Sequence, residues 1–141
     1  MLFRSRLERL EDLPGTLRLV YESPADLRDR VHGRDSQPLP VARVFERVPG
    51  ALLELAAEPG EVLRVDLRLR IEGVPQDLQL RLEQVALEEG SVRLRLPYAT
   101  DGRMGAARVV GEVRWSCGAS SGAVEVPEAS VRAGASILLE G

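Results

Sequence analysis

Residues 63–72 read LRVDLRLRIE, and the fold class turns on them. Leu63, Val65, Leu67, Leu69 and Ile71 fall on every second position, with Arg64, Asp66, Arg68, Arg70 and Glu72 between them. Side chains of a strand alternate between two faces, whereas a helix would scatter these apolar groups around its circumference. The segment is therefore a strand. It is buried on one face only, because burying the other would strip water from five charges.

The same pattern extends in both directions. Upstream, Ala51–Ala57 reads as a strand ended by the turn Glu58-Pro59-Gly60-Glu61. Downstream, residues 73–77 form a turn, and Leu78, Leu80 and Leu82 resume the alternation. The apolar parity then moves to Val85 and Leu87, which predicts a bulge near Glu83-Gln84. Glu88-Glu89-Gly90 turns the chain into Val92, Leu94 and Leu96, set against Arg93 and Arg95. After a loop over 98–105, Val109, Gly111, Val113 and Trp115 alternate with Arg108, Val110, Glu112 and Arg114. Beyond Cys117, GASSG is a flexible turn, followed by short strands around 124–126, 130–132 and 136–139.

The N-terminal third is less regular. Phe3, Leu7 and Leu10 recur at helical spacing, though residues 2–10 also fit a strand. Thr16–Tyr21 reads as a strand with Leu17, Leu19 and Tyr21 on one side. Ser23-Pro24-Ala25-Asp26 is a helix start, with a hydroxyl cap, proline at the first helical position and a carboxylate near the free amides. This predicts a short helix over 24–32. Val41, Val44, Phe45 and Val48 fit a second helical stripe, although residues 41–48 also allow alternation. The expected class is α+β: a twisted, meander-like antiparallel sheet of six to eight strands with one or two short helices packed on it. The rival is an all-β sandwich or open barrel.

At 141 residues the chain fits a single domain spanning 1–141. All 19 basic residues are arginine, and lysine and asparagine are absent. That bias reads first as the coding preference of a GC-rich genome, a thermophile's included, and second as a surface selected for guanidinium geometry. A net charge of −3 with no strongly basic segment argues against sequence-independent nucleic-acid binding. MLFRSRLERLEDLPG lacks the apolar run of a signal peptide, and no stretch of 18 apolar residues occurs anywhere. The expectation is a cytoplasmic protein without membrane contact.

Few residues carry chemistry. His32 and Cys117 are the single imidazole and single thiol, too few for a transition-metal site or a disulfide framework. Ser116, Cys117, Ser120 and Ser121 are the candidate nucleophiles, and Cys117 reads as a buried or half-buried residue ending a strand. Glu88-Glu89 keeps a turn solvated, and Asp66 sits among arginines suited to cross-strand ion pairs. Arg103, in Gly102-Arg103-Met104-Gly105, is a candidate for an anion contact. Arg64, Arg68, Arg70, Arg81, Arg93, Arg95, Arg108 and Arg114 are expected to line one sheet face, interleaved with Asp66, Glu72, Glu83 and Glu112. No catalytic residue, cofactor site or metal site is assigned.

The element order over residues 16–116 (the strand at Thr16–Tyr21, the SPADL helix start, a second short helical stretch, then an antiparallel meander) resembles the START-like ligand-binding superfamily. That resemblance implies a sheet curled around an apolar pocket, here lined by Leu67, Leu80, Leu94 and Trp115. The chain departs from the pattern at 123–141, where strands replace a long closing helix. Two functional expectations follow. One is a non-enzymatic structural or protein-interaction module with a protein partner or a second copy of itself. The other is a small carrier of an apolar molecule.

Overall fold

The computed structural model describes residues 16–23 and 42–140. Ten strands and one short helix lie within them: β1 Thr16–Glu22, β2 Arg43–Val48, β3 Ala51–Ala56, β4 Val62–Ile71, β5 Leu78–Val85, β6 Ser91–Leu96, β7 Ala107–Val109, β8 Val113–Cys117, β9 Ser120–Val124, α1 Glu128–Ala133 and β10 Ser136–Leu138. The strands form three sheets: β1-β2, β10-β3-β6, and β5-β4-β8-β9 with β7 also on β4.

Strand β4 organises the largest sheet, as its alternation requires. Leu63, Val65, Leu67, Leu69 and Ile71 are buried, and Arg64, Arg68 and Arg70 are exposed. One edge of β4 pairs with β5 in unbroken antiparallel register from Val62↔Val85 to Leu69↔Leu78. The other edge is shared: β8 covers Leu63 to Asp66 and β7 covers Leu69 to Ile71. Between these two, Val110 donates its N–H to the Arg68 carbonyl at 2.9 Å. The second sheet pairs β3 with β6 antiparallel and with β10 parallel. Leu53, Leu55, Val92, Leu94 and Leu96 of this sheet join the inward residues of β4 and β8 in one hydrophobic cluster. Burying a full leucine or valine side chain stabilises by roughly 1.5–3 kcal/mol, so this shared core is what holds the sheets together.

Several expectations are corrected. The class is mostly β, not α+β. Residues 43–48 are a strand: of the described members of the proposed helical stripe, Val48 is buried while Val44 and Phe45 remain about half exposed. A helix there would have no apolar face to pack, whereas pairing with β1 satisfies its backbone. The segments 2–10 and 24–32, both read as helical, lie outside the described residues. The single meander becomes three sheets, one containing a parallel pair.

No bulge occurs at Glu83-Gln84; Val85 simply faces solvent at 50% exposure, so the parity never changes. The register irregularity lies instead in β1, between Leu19 and Tyr21. GASSG is a tight two-residue turn at Gly118-Ala119, with Ser120 already in β9. Residues 130–132 belong to α1. This helix has Glu128 in its first turn, Arg132 in its last, and Gly134 in left-handed geometry (φ 69°) at its end.

Candidate functional site

Among the described residues, the most heavily partnered charge is Arg18. Sequence alternation places Leu17, Leu19 and Tyr21 inward, yet Leu17 and Tyr21 are exposed and the Arg18 side chain is wholly buried. Its Nε donates to Glu46 Oε1 at 2.8 Å, and its two terminal nitrogens donate to the two Glu128 oxygens at 2.7 and 2.8 Å. A further bond of 3.3 Å reaches the Pro97 carbonyl. Arg132 closes the ring, lying 3.1 Å from Glu46 and 3.3 Å from Glu128.

Hydrogen bonding to Arg18 is the largest influence holding both carboxyls below the usual carboxylate range. The Arg18 guanidinium is pushed above its ordinary value, chiefly by Glu128. These shifts favour the charged forms of Arg18, Glu46 and Glu128. The cluster's chemistry is that of a clamp, fastening β1, β2 and α1 to the chain after β6. Beside it, Tyr98 Oη accepts the Leu19 N–H at 3.0 Å. Gly105, at φ 63°, lets the following loop approach β1 so closely that a Cβ there would lie 2.9 Å from that of Val20.

Next to the clamp lies an open cleft of about 560 Å³ between Thr100-Asp101, residues 111–113 and residues 123–127. Its walls are locked together. Thr100 N–H donates to the Val126 carbonyl at 2.7 Å, and Val126 N–H donates to Thr100 Oγ1 at 2.8 Å. Asp101 Oδ1 accepts the Glu128 N–H at 2.7 Å, capping α1 from a different loop. Glu112 is paired with Arg114 at 3.0 Å.

The residues singled out from sequence are dispersed. Cys117 is buried at the end of β8, and burial, followed by the nearby Glu61 charge, pushes its thiol up, away from the thiolate a nucleophile requires. Ser120 and Ser121 are exposed on β9, and Ser116 sits opposite Ser121. His32 lies outside the described residues. Among the described residues, no three of His, Cys, Asp and Glu gather where a metal ion could be held. Asp66 does pair across strands, with Arg81 at 2.7 Å.

The arginine ladder divides between two sheets: Arg93 and Arg95 stand on β6, and the rest lie in or beside the β4 sheet. Leu67, Leu94 and Trp115, expected to line a ligand pocket, are packed in the core, and Leu80 packs against it. The clamp was missed from sequence. Its only local signal is an arginine between leucines in β1, with partners 28 and 110 residues away.

A family model described as the archaeal glycosylation protein B long peripheral domain matches residues 50–137. The chain belongs to this family. That match runs from the start of β3 into β10. Three solved structures of the Archaeoglobus fulgidus oligosaccharyltransferase have a similar fold, each at 14% sequence identity and each aligned over 90% of this chain. One, in complex with zinc and sulfate, gives a TM-score of 0.68 over 22% of its own length. Another, the oligosaccharyltransferase AglB with an inhibitory peptide and a dolichol-phosphate, gives 0.69 over 20%. The third, tethered through a disulfide to an acceptor peptide containing the NVT sequon, gives 0.72 over 21%. The present chain thus spans about a fifth of the length of these relatives. No curated protein matches it.

Family membership overturns the functional expectations. An interaction module of unknown role, a START-like carrier and a self-associating module all give way to a domain of a glycosylation protein. The cytoplasmic, membrane-free expectation falls with them, because a relative of the same fold is solved with a dolichol-phosphate, a lipid. It rested on an N-terminus without an apolar leader and on the lack of an 18-residue apolar stretch, neither of which carries information about a chain one fifth the length of its relatives.

Proposed function

We propose that this chain serves protein glycosylation as the peripheral β domain of an oligosaccharyltransferase working at a membrane. The family match across residues 50–137 carries the reading. The similar fold of the Archaeoglobus fulgidus enzyme supports it. Transfer of the glycan is assigned to the rest of that assembly, since this chain corresponds to only about a fifth of the relatives' length. The buried, up-shifted Cys117 and the paired carboxylates of the clamp are consistent with that division of labour. In this reading the Arg18 clamp keeps the domain rigid, so that it holds one orientation beside the transferring body.

Two arms test the proposal. Membranes of the source organism lacking residues 1–141 are assayed for glycan transfer from a lipid-linked donor to a sequon peptide, and transfer should fall and return when the chain is restored. Undiminished transfer would remove the chain from glycosylation. Separately, the purified chain is given the same donor and peptide. Transfer by the chain alone would move the catalytic role into it.

A further inference from the structure

We propose that the outer face of the β4 sheet, where β7 meets β4, binds an oxyanion of the phosphate class through Arg70, Arg103 and Arg108. In the β4–β7 register, Arg70 and Arg108 are direct partners, which puts like charges opposite one another. Such a pair is unfavourable unless anions offset it, and the protein supplies too few. Asp77 takes Arg70 in two bonds of 3.0 and 3.1 Å. Arg103, delivered by the 102–105 loop, meets Glu72 only at 3.5 Å, with both side chains largely exposed. Arg108 and Arg68 make no ion pair among the described residues.

Three guanidinium groups, Arg70, Arg103 and Arg108, thus stand with the Glu72 carboxylate around the site, and Asp77 is held beside Arg70. Arg70 holds the Asp77 carboxyl below its ordinary range, and the fields of Arg68 and Arg108 reinforce it. A recess of about 160 Å³ opens between Arg70, Arg103 and Arg108, lined also by Ala106, Ala107 and the Glu72 carboxylate, which Arg103 meets at 3.5 Å. Planar guanidinium forks around a small recess match tetrahedral oxyanions better than single ammonium groups would. The recess stands apart from the clamp and does not rest on the role in glycosylation.

The full chain is titrated at low ionic strength with inorganic phosphate, with the amide signals of Ala106 and Ala107 as reporters. In parallel it is floated with phosphatidylcholine vesicles with and without phosphatidate. Saturable phosphate binding, weakened roughly tenfold in Arg108→Gln and unchanged in Arg114→Gln, identifies a site for the free anion. Phosphatidate-dependent flotation lost in Arg108→Gln identifies a lipid headgroup as the source. Arg108 is exposed, so its replacement leaves the core intact, and Arg103→Gln provides a second variant. Binding that fails to saturate, or that is the same in both arginine-108 forms, overturns the site.

Discussion

Arg18 on β1 and Arg64, Arg68 and Arg70 on β4 occupy equivalent places in their strands, each an arginine flanked by apolar residues. Their surroundings are opposite. The β4 arginines face water: Arg64 pairs loosely, Arg68 makes no ion pair among the described residues, and Arg70 holds Asp77 in two bonds at the surface. Arg18 faces inward and is saturated by two glutamates and a carbonyl. Alternation determines that neighbours point to opposite sides. It does not determine which side is wet. On β4 the choice follows from five consecutive apolar partners on one face, whereas on β1 it follows from Glu46 and Glu128 being delivered by distant segments.

The sharpest way to break this comparison is to remove the buried cation. Arg18→Ala leaves a void beneath β1 and sets the Glu46 and Glu128 carboxylates side by side. It should destabilise the chain by about 4 kcal/mol, the scale on which a buried ion pair loses one partner. Chemical denaturation at neutral pH measures it, and a loss under about 1 kcal/mol would mean the clamp is a surface feature. Leu69→Ala, at a fully buried position of β4, should cost about 3 kcal/mol. The two differ in their response to acid: the leucine deficit should be flat with pH, and the arginine deficit should shrink as its partners protonate.

Glu128→Gln sharpens the point at a smaller scale, about 1–2 kcal/mol at neutral pH, because its side chain keeps some contact with water. The Glu128 carboxyl is depressed in the folded chain relative to its ordinary value of 4.5. A group whose folded pKa is lowered stabilises the fold above its unfolded value, and that contribution fades as pH falls through the folded value. The gap between wild type and Glu128→Gln should therefore be constant above pH 4.5 and close progressively below it. A gap that widens in acid would place the stabilising proton on the wrong side.

What could be read in the sequence divides along the same line. Strands β4, β6 and β8, and β5 as far as Leu82, carry their own instructions, since each sets apolar residues against polar ones in alternation, while β3 shows only as an apolar run ended by a turn. The residue pairs that define the clamp, and the parallel pairing of β10 with β3, are separated by tens of residues and leave no periodic trace. The stripe of Val41, Val44, Phe45 and Val48 misleads for a related reason. Two of its members, Val44 and Phe45, are exposed, so their spacing was not shaped by a core. Charge gave half of the anion recess, because Arg103 stood out in its loop. The register that puts Arg108 against Arg70 emerged only with the fold.

The smallest effect is the one that tests the dry-versus-wet distinction from its other end. Arg64 lies 3.5 Å from Glu83, and both side chains are about half exposed. Water already solvates each charge, so the pair gains little Coulomb energy and must hold two long side chains still to gain it. Arg64→Gln should therefore move the denaturation midpoint by the equivalent of no more than about 0.5 kcal/mol, and added salt should erase even that. A loss approaching that of Arg18→Ala would mean that the outer face of β4 is covered by something with which Arg64 is engaged. Exposure would then no longer imply dispensability on this sheet.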